Sequence, residues 1–474
     1  FQYQRAESWD ARLRYILEAA DGFRLSISNR YNDQLVFMNG GVAGIPGAGG
    51  EASWDYPEEG GSAFSENAFN PIQAALMAPS IRTQSVRNET RARISGDWSG
   101  DSSIVSEFTI DHVIRVRDVS DRVHMSAPDS SAYPALKRKD AWNSTTASLR
   151  HRMPVLGSEL EISGAAGRYS VAGPALYTDA EAFTGSLSAT LAVPFRGFRA
   201  SVYGRLDRQG SSTGFGAGGD IAYRGGNWNI WAGAARTGRG LSLAERALSG
   251  TTVQIGAQEL TSMIDAGAGG GFPGFECDIR GHYRRTSSPI TLYHAIDPAP
   301  APSPYARIRT VPLAQAGLSE VFGISASALL TLWRLTLEER VAAYSASVGG
   351  ASPEPAAPGF ENTVQLYYRG SIIEGTLRLK IGAGISRRGS YAPLTWDPAE
   401  GMFAYASASS SVANFARGYT DAWIAELFLF ATIKDDATVH LVLHNALNAR
   451  YISTQFYPMP EREFRFGVDW IFLD

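Results

Sequence analysis

The 474-residue sequence has one cysteine, Cys277, seven His, seven Met and very few Lys among its 43 Lys and Arg. A single cysteine cannot close an internal disulfide, so no disulfide framework organises the chain. No run of about 18 uncharged apolar residues occurs, which excludes a membrane-spanning helix. The formal net charge of −4 offers no basic surface for nucleic acid. Gly-x-Ser-x-Gly, His-Glu-x-x-His and phosphate-cradling Gly-Lys motifs are all missing, and no serine stands out as a nucleophile, so the sequence reads as that of a non-enzyme. Cys277 and His282 would point to opposite faces of a strand and cannot share a metal. His440 and His444 would share a face, where solvated side chains explain them better than metal binding. No metal and no cofactor is expected.

What is present is 49 Gly, 22 Phe, 20 Tyr and 10 Trp, a composition suited to short turns, strands and interfacial aromatics. Period-two alternation runs through the chain. In the closing stretch, Phe464, Phe466, Val468, Trp470 and Phe472 alternate with Arg465, Gly467 and Asp469. Near the start, Leu13, Tyr15 and Leu17 oppose Arg12 and Arg14, and after the Asp21-Gly22 turn Phe23, Leu25 and Ile27 oppose Arg24 and Ser26. Arg87, Glu89, Arg91 and Arg93 share a face opposite Val86, Ala92 and Ile94. Arg115, Arg199, Arg205, Arg378 and Lys380 occupy the polar faces of later strands, while Trp423 to Ile433 supplies an apolar face whose reverse carries Glu426 and Thr432 but also Phe428 and Phe430.

Such polar faces hold too many charges for a packed core. Tight turns, as at Pro194–Gly197 and Arg224–Asn227, alternate with long polar connections: 39–71, 208–214, 297–304 and 347–359. Short turns at one end and long loops at the other are a transmembrane barrel pattern, one that a soluble sandwich has no reason to keep. The fold class expected is all-β: one large antiparallel transmembrane β-barrel over residues 1–474, of about 22 strands with 16–22 possible. The closing strand is expected to seal the barrel against the first strand, around Ala11 to Ala19, because sheet edges cannot stay open in lipid.

Two segments resemble a known family. Asn445-Ala446-Leu447-Asn448-Ala449-Arg450-Tyr451, followed by Tyr457-Pro458-Met459-Pro460-Glu461-Arg462 and the final aromatic strand, is similar to the C-terminal end of TonB-dependent outer-membrane receptors. Glu461 stands where that turn usually has Gly. Arg236-Thr237-Gly238-Arg239-Gly240-Leu241-Ser242-Leu243-Ala244-Glu245-Arg246 resembles the family's Arg-Ala-Pro-Ser-Leu-x-Glu-Arg segment without its Ala-Pro pair.

The resemblance implies uptake of a bulky or scarce solute (metal chelate, vitamin or oligosaccharide) across the outer membrane of a Gram-negative-type bacterium. Outer-membrane lipid and the solute are the implied partners, with the TonB system joining if a plug is present in the full-length protein. No plug is read in this chain, because hairpin patterning begins by about Ala11. The polar-face residues Arg87, Glu89, Arg91, Arg93, Arg115, Arg199, Arg205, Arg378 and Lys380 are the candidates for lining a lumen or touching a solute. Trp228, Trp423, Phe464, Phe466, Trp470 and Phe472 are candidates for the membrane interface. A plugless, porin-like diffusion channel and a soluble β-sandwich binding protein are the alternatives.

Overall fold

The computed structural model describes residues 5–18, 22–38, 81–97, 104–121, 137–173, 180–210, 212–240, 258–297, 307–314, 318–348, 359–374, 376–389, 395–397, 402–406, 421–434, 436–449, 451–454, 457–458 and 462–470. Strands in chain order are β1 (Arg5–Glu18), β2 (Arg24–Met38), β3 (Ile81–Gly96), β4 (Val105–Asp121), β5 (Lys137–Val155), β6 (Ser158–Ala172), β7 (Ala180–Phe195) and β8 (Phe198–Gln209). They continue with β9 (Ser212–Gly225), β10 (Trp228–Arg239), β11 (Glu259–Phe272), β12 (Phe275–Ser287), β13 (Ile290–Asp297), β14 (Arg307–Ala314), β15 (Leu318–Leu332), β16 (Leu335–Val348) and β17 (Phe360–Ile373). The last are β18 (Leu377–Arg388), β19 (Thr395–Asp397), β20 (Met402–Ala406), β21 (Ala422–Ile433), β22 (Ala437–His444), β23 (Ile452–Thr454), β24 (Tyr457–Pro458) and β25 (Glu463–Trp470).

Nineteen of these form one sheet, in which each strand pairs antiparallel with its sequence neighbours, as β1 does with β2 and β22 with β25. Nineteen lies inside the expected 16–22 but below the central 22. Six further short strands stand outside this sheet: β13, β14, β19 and β20 make a separate four-stranded sheet and β23 pairs with β24 alone. These extra hairpins lie within the connections β12–β15, β18–β21 and β22–β25, and β13 meets β20 in parallel through Tyr293 opposite Tyr405.

Turn chemistry fixes one end of the sheet. Leu156-Gly157 and Arg196-Gly197 both have two successive positive φ values, the arrangement of two-residue turns whose twist matches the strands they join. Pro273 precedes Gly274, at φ 84°, the order that a type II turn requires. Residues 333–334, 374–376 and 434–436 make further tight connections at the same end. Most connections at the other end are longer: 39–80, 122–136, 240–258 and 349–359. The expected long connection at 208–214 is a correction: β8 and β9 are separated by residues 210–211 only. Stretch 39–71 lies outside the described residues.

The two faces invert the order of a soluble protein. Leu187, Val202, Leu206, Ile221, Ile230, Ile264, Leu366 and Leu427 are all about half exposed or more. Only eight hydrophobic side chains are buried among the described residues, Val119 and Val171 most completely. An exposed apolar belt of this extent belongs against lipid, and the apolar face of the nineteen-stranded sheet stays exposed instead of packing on another sheet, which argues against the sandwich alternative. Polar groups that interrupt the belt bond to one another: Asn29 donates to Asn88 at 2.7 Å and to Thr90 at 2.8 Å, and His112 lies 2.8 Å from Thr145 Oγ1.

Aromatics gather where the belt ends. At the turn end Phe198 sits 4.6 Å from Tyr223, Phe272 5.1 Å from Phe275, and Trp333 6.3 Å from Tyr368. Trp228 and Trp470 are exposed at that end, and Trp423 at the other. Phe464 and Phe466 are exposed on the apolar face of β25. Phe472 lies outside the described residues. Rings at both rims suit the interfacial chemistry of headgroups.

The expected seam is also corrected. Among the described residues no ladder joins β25 to β1. Arg5 pairs with Phe37 at the loop end of β2, and Glu463 pairs with His444 at the loop end of β22. Both edge strands therefore run from loop end to turn end, and two strands of the same direction cannot pair antiparallel.

One buried charge pair clamps two neighbouring strands. Arg117 in β4 is 4% exposed and Asp140 in β5 is fully buried, with Nη2 and Oδ2 2.6 Å apart. The guanidinium also lies 5.3 Å from the Trp142 ring centre. Asp140→Ala removes the buried carboxylate that faces a desolvated cation, and the expected cost is about 3 kcal/mol. Heat-modifiable gel migration checks it: the variant should lose its folded band at a clearly lower temperature than the parent, while Arg152→Ala, at an exposed pair, should not.

Candidate lumen surface

The face opposite the apolar belt is a charged wall, held by ion pairs that cross strands or run along them. Arg91 Nε lies 2.5 Å from Asp111, Arg93 2.7 Å from Glu107, and Arg150 2.6 Å from Glu161. Along single strands, Arg87 meets Glu89 at 2.9 Å, Arg205 meets Asp207 at 2.7 Å and Arg340 meets Glu338 at 2.6 Å. The geometry comes from the pleat, because residues two apart share a face and directly opposed residues are neighbours. Exposed pairs of this kind add little stability one by one. Their effect is to neutralise and stiffen the wall.

The sequence candidates divide accordingly. Arg87, Glu89, Arg91, Arg93 and Arg205 are committed to the ion pairs just described. Arg115 donates to Ser85 at 3.3 Å and lies 5.3 Å from the Trp142 ring centre. Arg199 stands at the turn end of β8 on the polar face, opposite Pro194 and Ala222. Arg378 is opposite Ser371 and Thr432 near the turn end of β18. Lys380 differs from the rest, since its ammonium lies 4.2 Å from the Tyr367 ring centre and 5.3 Å from that of Phe428.

Those two rings begin a row. Phe428 lies 6.4 Å from Tyr367 and 6.0 Å from Phe430, which in turn lies 6.0 Å from His440. Small residues make room for it: a Cβ on Gly382 would fall 2.5 Å from Tyr367 Cβ, and Gly467 lies directly beneath the His440 ring. Large rings laid over glycines on adjacent strands are a known way to shield a bare backbone. The phenylalanines that break the alternation of β21 therefore belong to a polar-face aromatic patch, in the turn-side half of the wall.

Nearer the loop end, β17, β18, β21, β22 and β25 border an open cavity of about 430 Å³. Glu361, Arg388, Glu426, His444, Tyr451 and Arg465 line it. The chain turns into this cavity through Asn445, which is fully buried and has φ 50°. Its side-chain amide donates to the Ala449 carbonyl at 2.7 Å and accepts from the Ala449 amide at 2.8 Å, while Asn448 Oδ1 accepts from the Arg462 amide at 2.8 Å. Two asparagines at positive φ fit because their short side chains tolerate the left-handed region and bond locally.

That turn brings Tyr451 back onto the wall, 4% exposed, with its hydroxyl 3.3 Å from His444 Nε2. His444 Nδ1 contacts the Glu426 carboxylate. Burial pushes the Tyr451 phenol up, so it remains a neutral hydroxyl at physiological pH. Arg388 lies 3.5 Å from Glu361, and Arg465 2.7 Å from Glu463. A smaller cavity of about 320 Å³ is lined by Arg205, Asp207, Arg208 and Arg239.

Sequence reading missed Arg388, Glu426, Tyr451 and Arg465 as one group. Glu426 and His444 are 18 residues apart, and only strand register makes them partners. The available signal was the Asn-rich segment, whose asparagines mark the turn that returns Tyr451. Cys277 and His282 do lie on opposite faces, His282 facing Asp265 and Tyr344 at 6.0 Å. Among the described residues no group of three His, Cys, Asp or Glu side chains is placed to hold a metal.

No family model and no curated protein matches the sequence. Solved structures do match. The copper transporter OprC is similar at a TM-score of 0.70 with 12% identity, covering 99% of this chain and 72% of its own. The FrpB iron transporter from Neisseria meningitidis (F5-1 variant) gives 0.68 with 11% identity, covering 98% of this chain and 73% of its own. The ferric-catecholate import receptor Fiu from K12 E. coli gives 0.68 with 11% identity, over 98% and 74%. The chain has the fold of the barrels of TonB-dependent outer-membrane receptors.

Proposed function

We propose that this chain is the barrel wall of an outer-membrane uptake receptor, taking in a bulky or scarce solute, with a metal chelate ahead of a vitamin or an oligosaccharide. The observation that carries this reading is the loop-end cavity, where Arg388, Arg465, His444 and the neutral Tyr451 hydroxyl converge with Glu361 and Glu426 on one polar space of about 430 Å³, so that a ligand's oxygens would take the guanidinium groups over from their carboxylate partners. Guanidinium groups and a phenol hydroxyl suit an anionic ligand with several oxygen acceptors, as a metal chelate presents. The likeness to solved iron, copper and ferric-catecholate carriers supports the chelate class.

A solute entering from the loop end would meet this cavity first and the Lys380 aromatic patch farther down, where a cation set among rings suits a flat or anionic ligand. The paired arginines along β3 to β6 serve as wall, and no catalytic role is assigned to any side chain. The protein would reside in the outer membrane of a Gram-negative-type bacterium, with lipid around the apolar belt and the TonB system supplying energy through the full-length polypeptide.

Arg388→Gln should weaken binding of a ferric catecholate or hydroxamate chelate about tenfold, the equivalent of one lost charge-assisted contact of about 1.5 kcal/mol. Arg199→Gln, at the turn end, should leave it unchanged. Equal effects would remove the cavity from the account. Planar-bilayer conductance of the natural full-length protein separates an energised receptor from a diffusion channel: a receptor is closed at rest, and a large steady conductance together with uptake that persists without TonB would establish the porin-like alternative.

A further inference from the structure

The outward face of β2 to β5 carries a polar strip in the middle of the apolar belt. Asn29, Thr90, His112 and Thr145 are opposed in turn across these four strands, and Asn88 and Asn143 stand one row nearer the loop end. Apolar side chains bracket the strip on both sides: Ile27 and Tyr31 about Asn29, Ile110 and Ile114 about His112, Ala147 and Ala141 about Thr145 and Asn143. The strip therefore lies at hydrocarbon depth, short of the headgroups. Asn88, Asn143 and Thr145 are exposed there. Elsewhere a belt row can run across five strands with no polar side chain, as Ala232, Ala266, Gly281, Ile324 and Ala343 do on β10, β11, β12, β15 and β16.

We propose that this strip is a contact between two copies of the chain, packed side by side in the membrane about a twofold axis along the membrane normal. The proposal rests on the lipid-facing reading of the belt and not on the identity of the solute. Lipid tails offer polar side chains no hydrogen bonds, and such groups within a membrane turn toward protein. Bonds inside the strip join Asn29 to Asn88 and Thr90, and His112 Nδ1 to Thr145. An amide offers two donors as well as an acceptor, and an imidazole a second ring nitrogen, so these bonds use only part of what the strip can make. The chemistry of the strip also selects the occupant. A twofold contact sets a patch against its own copy, so a patch of one charge sign would repel itself. Amides, hydroxyls and a neutral imidazole each donate and accept, which makes this strip complementary to itself. Ala92, Ala141 and Ala147 beside it let two sheets approach closely.

The test uses the full-length protein in outer membranes, with Cys277→Ser as background. Asn88→Cys and Asn143→Cys are introduced singly, Ile324→Cys is the control on the apolar row, and each sample is treated with a short, membrane-permeant bis-maleimide. The expected result is a cross-linked species of twice the protomer mass from one or both strip positions and none from Ile324→Cys. In mild detergent the parent should migrate as a dimer, and the double variant Asn88→Leu with Asn143→Leu as a monomer that keeps its heat-modifiable folded band. If the double variant does not fold, Asn143→Leu alone replaces it. Four results would each overturn the inference: no dimer from either strip position, an equal dimer yield from Ile324→Cys, an adduct with a different protein, or a dimer that survives the leucine substitutions.

Discussion

The pairing of backbone N–H and C=O groups where no water can replace them is the constraint on which everything else rests. In a hydrocarbon layer each unpaired group is costly, so the chain takes the simplest solution, each interior strand of the large sheet bonded to the strands before and after it. Nineteen strands in neighbour-only order follow. Once the ladder is fixed, the pleat assigns each side chain to one of two faces, and lipid selects the apolar one. The buried Arg117–Asp140 clamp, the aromatic rims and the charged wall are consequences of that assignment.

The same constraint positions chemistry. Glu426, His444 and Arg465 sit on three successive strands and come together only because the register of β21, β22 and β25 aligns them. The asparagine turn then returns Tyr451 to the same place. At the loop end, Arg387 of β18 stacks 5.3 Å from the Trp423 ring centre and donates at 3.0 Å to Asp421, just outside β21, which holds that carboxyl below its ordinary range. Acid should release this loop-end contact only well below neutral pH, as the Asp421 carboxylate protonates.

Much of the fold could be read from alternation. Leu377 to Arg388 and Phe464 to Trp470 declare both faces of their strands, and the tight turns at Arg196-Gly197 and Gly226-Asn227 declare one end of the sheet. Strand number was less legible, because the short β13, β14, β19, β20, β23 and β24 look like wall strands when judged by pattern alone. The seam was not legible, since polarity at the edges depends on counting every strand. Phe428 and Phe430 looked like errors in a lipid-facing pattern, and only the glycine beneath Tyr367 shows where they pack. For the lumen, single strands revealed which residues are polar but not which of them meet, since Arg91 finds Asp111 and Arg388 finds Glu361 through register rather than sequence distance.

The central claim is that one face of each strand meets lipid and the other meets water. Single cysteines placed one at a time from Leu377 to Arg388 in the full-length, Cys277→Ser protein, and treated with a water-soluble thiol reagent, test it directly. Labelling at 378, 380, 382, 384 and 386 with protection at 377, 379, 381, 383 and 385 is the expected two-residue rhythm. Uniform labelling, or the reverse rhythm, would contradict it.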